Sequence, residues 1–144
     1  MYEFLGYQAR HVMTREPKTI EPSASLAQAE AIFEKHDFNA LPVVEPEGRL
    51  VGIFTKLDFL GAFAFKPASI IPQYDEVMRS PVGEQMSREL VIVAPDSPLT
   101  RVLQELVRTR NKSLPVVDGT HLVGIVARED VLQALRRAAG GERP

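Results

Sequence analysis

Two short strings hold the residue types best suited to chemistry. "GIFTKLD" sets Thr55 three residues ahead of Asp58, and "GIVARED" sets Ala127 three residues ahead of Asp130. In each, an apolar run gives way to charged residues, the pattern of a strand ending where a helix begins. Thr55 and Asp58 at this spacing can form a capping box variant, with Thr55 accepting from a helix amide and Asp58 favoured by the macrodipole. The same geometry can serve a ligand. A helix N-terminus presents unpaired amides to an anion, and a hydroxyl there can bond a phosphate. A carboxylate repels phosphate but can accept from both hydroxyls of a ribose. A hydroxyl and a carboxylate at one strand-to-helix corner therefore suit a nucleotide better than a bare anion. Ala127 can neither cap nor bond phosphate.

Other candidate chemistry is weaker. "GTHLVG" has the glycine spacing that opens a P-loop, but Ile125 and Val126 stand where Lys and Ser or Thr must be, so it reads as a strand. His11, His36 and His121 are far apart without paired spacing, which suits surface or helix-end roles rather than metal ligation. The basic run Arg108 to Lys112 reads as a solvated helix end, with cations near the C-terminus. No serine-hydrolase elbow, zinc-protease motif or dinucleotide fingerprint is present. The net charge of −2 supplies no basic field for nucleic acid or an anionic membrane. There is no cysteine, which fits a reducing compartment. The first residues lack a signal-peptide pattern, and no apolar run approaches the roughly 20 residues that span a bilayer. The expected location is cytoplasmic.

The elements that must position these residues come in two copies. "LPVV" begins at Leu41 and again at Leu114, a shift of 73, and "LVGI" at Leu50 and again at Leu122, a shift of 72. The difference of one lies in the connections "EPEG" and "DGT", each with a glycine suited to a hairpin turn. "MTRE" from Met13 is answered by "MSRE" from Met86, and Pro22 by Pro95. Each copy reads strand, helix, strand, strand, helix. "KTIEP" and "LVIVAP" are β-prone runs stopped by proline. In the copy-two helix Leu99, Val102, Leu103, Leu106 and Val107 share one face, with Ser97 and Pro98 as the expected cap and first helical position. Leu57, Leu60 and Phe63 are the expected buried stripe of the closing helix in copy one. Five elements of this length cannot bury both faces of their sheet, whereas two copies packed sheet to sheet can. The expected class is α+β, two tandem β-α-β-β-α repeats with pseudo-twofold symmetry. Repeat 1 spans 9–63, a joint 64–84, repeat 2 85–137, and a flexible tail 138–144.

The doubled "LPVV", the paired "VMT" and "QMS", and above all "GIFTKLD" and "GIVARED" give the chain a resemblance to tandem CBS domains, also called a Bateman module. The resemblance covers about Ala9 to Arg137. It implies an adenosyl ligand in the cleft between repeats, ribose on the motif Asp and phosphates on the motif Ser or Thr with nearby basic groups. In copy one these are Asp58, Thr55 and Lys56, with Thr19, Ile20, Asn39, Ala40, Leu41 and Pro42 around the base. In copy two they are Asp130 and Arg128, with Ile92, Val93, Lys112, Ser113, Leu114 and Pro115 around the base. Ala127 departs from the pattern, which leaves Arg128 and Lys112 to compensate or the second site to take a ligand with less phosphate.

The resemblance further implies a non-enzymatic sensor of AMP, ADP or ATP, or of S-adenosylmethionine or NAD, without a cofactor or metal. It would act on a protein effector in trans and associate as a homodimer. Surplus apolar positions on the closing helices, including Leu57, Leu60, Phe63, Phe65, Val131, Leu132 and Leu135, are the expected interface. The alternative is a dimeric scaffold without a ligand, in which Thr55 and Asp58 only cap. An enzyme would need a base, nucleophile or metal site that the sequence does not display.

Overall fold

The computed structural model describes residues 1–64 and 73–144, so Phe65, Pro67 and Pro72 lie outside the described residues. The chain forms two compact units, Lys18–Leu90 and Met1–Pro17 with Val91–Pro144. No helix among the described residues is long and apolar enough to cross a membrane.

The unit of Lys18–Leu90 is built on an antiparallel hairpin of β2 (Ala40–Val44) and β3 (Leu50–Thr55), flanked by α2 (Leu26–Lys35) and α3 (Lys56–Gly61). The turn residue Gly48 has φ 96°, a conformation open to glycine at no steric cost. Ser25 caps α2, its hydroxyl accepting from the Gln28 amide at 3.2 Å. Leu26, Ala29, Leu41, Val43 and Phe54 form the core, joined by Met78 of α4 (Tyr74–Arg79) and Val82 of α5 (Val82–Gln85).

The other unit repeats this plan with α6 (Leu99–Thr109), β4 (Ser113–Asp118), β5 (His121–Ala127) and α7 (Arg128–Ala139). Gly119 turns this hairpin with φ 65°. "GTHLVG" runs into β5, the strand expected of it. The N-terminal segment completes the core: a 3-10 turn at Tyr2–Gly6 and α1 (Ala9–Val12) bring in Phe4, Tyr7 and Ala9. Tyr7 is fully buried, its hydroxyl donating to the Glu142 carbonyl at 3.0 Å, and Arg137 lies over its ring.

Three local expectations are corrected. "KTIEP" and "LVIVAP" do not extend as strands; each is reduced to a single parallel bridge, Ile20 to Val43 and Val93 to Val116. Proline is the cause. Ile20 donates to the Pro42 carbonyl and accepts from Val44, and the next two ladder bonds would need amides of Pro22 and Pro42. Neither has an N–H. Pro95 and Pro115 stop the second ladder in the same way. Ser97 does not cap α6. Its hydroxyl accepts from the Ala94 amide at 2.9 Å, and Pro98 is itself the extended residue before the helix. The stripe Leu57, Leu60, Phe63 is not the buried face of α3. Leu57 and Leu60 are 77% and 65% exposed, while Phe59, Ala62 and Phe63, at i, i+3 and i+4, pack on the core.

The leading motifs of the two sequence copies are exchanged. Met13 precedes β1 (Thr14–Arg15), which pairs with β5, whereas Ser87, after Met86, bridges Ile53 of β3. The methionines explain the glycine of each "LVGI". A Cβ on Gly124 would stand 2.7 Å from Met13 Sδ and 2.9 Å from the Thr14 carbonyl oxygen. A Cβ on Gly52 would stand 2.5 Å from Met86 Sδ and 3.0 Å from the Ser87 carbonyl oxygen. Gly124→Ala is therefore expected to cost about 1–3 kcal/mol through overpacking against a backbone oxygen. Gly61→Ala, with open space around its Cβ in α3, should be neutral or stabilising by up to about 1 kcal/mol. Urea melts of both variants check this; equal midpoints would show that β1 yields freely.

Candidate functional site

The end of β3 and the start of α3 gather the copy-one residues. Ala40 pairs with Thr55 across the hairpin, and the Lys56 amide donates to the Asn39 carbonyl at 3.2 Å. Thr19 adjoins Ile20, whose amide reaches the Pro42 carbonyl at 3.0 Å. Thr55 and Asp58 form the full capping box. Thr55 Oγ1 accepts from the Asp58 amide at 3.0 Å, and Asp58 Oδ2 accepts from the Thr55 amide at 2.9 Å. Both side chains are half-buried. The box does not exhaust them: the Thr55 hydroxyl hydrogen and Asp58 Oδ1 take no part in it. Capping and ligand binding are thus compatible, because the cap orients one donor and one acceptor for use elsewhere.

Copy two has the same frame and different chemistry. Ser113 pairs with Ala127, and the Arg128 amide donates to the Lys112 carbonyl at 3.0 Å. Asp130 Oδ2 accepts from the Ala127 amide at 2.8 Å, but the Ala127 methyl returns nothing to Asp130. Burial pushes the Asp130 carboxyl above its ordinary range; the Ala127 amide opposes this and Glu129 adds to it. The folded chain therefore holds that proton more tightly than the unfolded chain. Protonation adds stability as pH falls through the raised value, and the gain is complete below the ordinary carboxylate range. Ile92, 46% exposed, stands where copy one has Thr19.

Two of the three basic residues, Arg128 and Lys56, are engaged locally. Arg128 donates from Nε to the Asn111 carbonyl at 3.0 Å and from Nη2 to the Arg110 carbonyl at 2.6 Å, closing the end of α6 where Arg110 turns left-handed at φ 59°. The guanidinium that could compensate for Ala127 is thus held by carbonyls. Lys56 Nζ lies 5.9 Å from the Phe33 ring centroid. Lys112 is exposed.

Six of the expected base-lining residues, Ile20, Leu41, Pro42, Val93, Leu114 and Pro115, are buried. Ile20, Leu41, Val93 and Leu114 belong to the two cores. What these positions can offer a ligand is main chain. Polar side-chain chemistry falls to Thr19, Asn39, Thr55, Lys56 and Asp58 in one copy, and to Lys112, Ser113, Arg128 and Asp130 in the other, where Ile92 offers only an apolar surface.

Each unit also bears an apolar groove on its helical face that no sequence motif marks. One, of about 310 Å³, is lined by α6 and α7 through Leu103, Val107, Arg110, Arg128, Leu132 and Leu135. The other, of about 280 Å³, is lined by α2 and α3 through Glu30, Phe33, Lys56, Phe59 and Leu60. The repeat shift held the signal, since it sets Phe33 on Leu106, Lys56 on Arg128 and Leu60 on Leu132. Val131, expected at an interface, is a core residue, 2% exposed.

Comparison with known proteins agrees with the doubled plan. The chain is 32% identical over 122 residues to the CBS domain-containing protein YhcV of Bacillus subtilis, covering 85% of this chain and 81% of that one. It is 30% identical over 135 residues to an L-aspartate semialdehyde sulfurtransferase of Methanocaldococcus jannaschii, covering 93% of this chain but only 23% of that protein. Among solved structures, the CBS domain pair of protein MJ0100, in complex with 5′-methylthioadenosine and S-adenosyl-L-methionine, superposes with a TM-score of 0.71 at 27% identity, over 90% of this chain and 99% of that one. The CBS-domain family model matches residues 9–64 and 76–137, one match to each copy of the motif set. With a hairpin, two flanking helices and a strand-to-helix Asp in each copy, the chain belongs to the CBS-domain family and carries two such domains in tandem.

Proposed function

We propose that this chain is a non-enzymatic regulatory module that binds an adenine nucleotide or another adenosyl ligand through the strand-to-helix corners of its CBS domains and signals to a protein effector in trans. The observation that carries this is the Thr55–Asp58 box, which leaves a hydroxyl hydrogen for phosphate and a carboxylate oxygen for ribose. The adenosyl ligands of the related MJ0100 pair support the class of ligand. The cysteine-free composition suits a cytoplasmic setting. A ligand-free scaffold is the second reading, favoured by the fact that the box is also a complete helix cap.

Thermal shift with AMP, ADP, ATP, S-adenosylmethionine and NAD separates the two. A ligand at 100 times its Kd stabilises the fold by about 2.7 kcal/mol. No shift with any of them at millimolar concentration supports the scaffold.

The corners are unequal. A hydrogen bond to a charged group is worth about 1.5–3 kcal/mol, and of the equivalent pair Thr55 and Ala127 only Thr55 can make it. Asp58→Ala is expected to abolish the tighter phase of an AMP or ATP titration, and Asp130→Ala to leave it largely intact. Thr55→Ala should narrow the gap between phosphorylated and unphosphorylated ligands, besides costing about 1 kcal/mol of stability as a lost cap. Calorimetry in which Asp130→Ala removes the tight phase reverses the assignment.

The chain is also expected to be a homodimer. Leu60 on α3, Val107 on α6 and Leu132 on α7 are exposed apolar side chains lining the two grooves, and Leu57 on α3 is exposed as well. Light scattering at micromolar concentration checks this, and a monomer mass contradicts it.

A further inference from the structure

The two hairpins turn on unlike chemistry. Asp118 at the end of β4 pairs with His121 at the start of β5, so Gly119 and Thr120 form the turn between them. Gly119 takes φ 65° while Thr120 keeps a negative φ, the pattern of a type II′ turn. Asp118 is the one Asp or Asn of the chain that is followed by glycine. Asp118, Gly119 and Thr120 are all exposed. Among the described residues, the Asp118 carboxylate enters no ion pair and the Gly119 amide donates no hydrogen bond. A Cβ on Gly119 would meet nothing within 4 Å. A carboxyl and the next amide nitrogen therefore stand free, with no side chain on the second residue to hinder their approach. Closure between them makes a five-membered ring.

The nearest rivals are closed. Glu47 precedes Gly48 in the other hairpin, but the Gly48 amide donates to the Glu45 carbonyl at 2.8 Å and Arg49 lies 3.8 Å from the Glu47 carboxylate. Glutamate would also need a larger ring. Asp96 precedes Ser97, whose amide donates to the Ala94 carbonyl at 3.0 Å. Asp58 and Asp130 lie in the first turns of helices, each with a carboxylate oxygen on a strand-end amide.

We propose that Asp118 is a site of spontaneous covalent modification, where the chain passes through a succinimide with Gly119 to an isoaspartyl linkage. The Gly119 nitrogen attacks the protonated Asp118 carboxyl carbon. An N–C bond forms, and the amide proton and the carboxyl hydroxyl leave together as water. Water then opens the ring at one of its two carbonyls. Opening at Cγ restores Asp118; opening at the main-chain carbonyl leaves Gly119 attached through Cγ. The isoaspartyl form has one more carbon in its main chain, placed at the closing Asp118–His121 pair, so the end of the β4/β5 ladder loses its register.

The folded protein, incubated warm at mildly acid pH in water enriched in heavy oxygen, tests this by peptide mapping. The peptide holding Asp118 is expected to split into two forms, the new one carrying heavy oxygen and accepting a methyl group from a protein isoaspartyl methyltransferase. Asp118→Glu replaces an exposed side chain and should give no second form and no methyl acceptance. Methyl acceptance that persists undiminished in Asp118→Glu overturns the assignment. A folded chain whose Asp118 peptide stays single overturns the proposal, and conversion of the same chain in urea alone then shows that the hairpin holds the amide away from the carboxyl.

Discussion

The closest constraint in the fold is a methionine thioether lying on a bare backbone. Gly124 beneath Met13 and Gly52 beneath Met86 leave no room for a Cβ, which in each case would also crowd the carbonyl oxygen of the residue after the methionine, Thr14 or Ser87. This contact fixes where the short leading segments lie, and those segments decide which stretches of chain share a core. Met13 and β1 sit on the hairpin of the second sequence copy; Met86 and Ser87 sit on the hairpin of the first. The repeat in sequence and the unit in space are consequently offset. Each hairpin depends on a segment distant in sequence, or on the stretch between the copies, for its edge.

The same economy sets up the corners. Prolines on either side restrict the parallel bridges to two hydrogen bonds each, enough to hold Ile20 and Val93 in the cores and no more. Thr19 and Ile92 therefore stand at the end of a strand that does not continue. The hairpins then bring Ala40 opposite Thr55 and Ser113 opposite Ala127. Everything polar at a corner is positioned by backbone pairing, and only the identity of the side chain differs between copies. That separation lets a corner change its chemistry without changing the fold.

The repeated plan was legible because hairpins and helices obey local rules: alternating apolar strands, a glycine where φ must be positive, and "GIFTKLD" with its hydroxyl and carboxylate at box spacing. Three details were not, each for a physical reason. Strand length depended on which partner residues lack an N–H, and Pro42 and Pro115 reveal that only once the register with Ile20 and Val93 is known. The role of Ser97 depended on the direction of its hydroxyl, toward Ala94 rather than α6. The face of α3 depended on the phase of a six-residue helix, too short for periodicity to separate Phe59 and Phe63 from Leu57 and Leu60. At the site, Thr55 and Asp58 were readable as a pair, but the fate of Arg128 was not, since its partners are carbonyls 17 and 18 residues away.

Where the two copies agree and where they differ then falls into place. Positions that the backbone requires recur in both: the glycine under a methionine, the prolines that end the bridges, the glycine of each turn, the Asp that accepts from a strand-end amide. Positions that face outward diverge. Thr55 becomes Ala127, Thr19 becomes Ile92, and Glu30, Glu34 and Asp37 become Leu103, Val107 and Arg110. The first two changes remove hydrogen-bonding groups from one corner; the other three turn an acidic helix edge into an apolar and basic one. Ala127 leaves no hydroxyl where copy one has Thr55, and the neighbouring Arg128 guanidinium is engaged in closing the end of α6 at the Asn111 and Arg110 carbonyls. Two copies of one fold thus present unlike corners and unlike helical faces on a backbone that is nearly the same, because hairpin pairing fixes where each side chain stands and leaves its identity free.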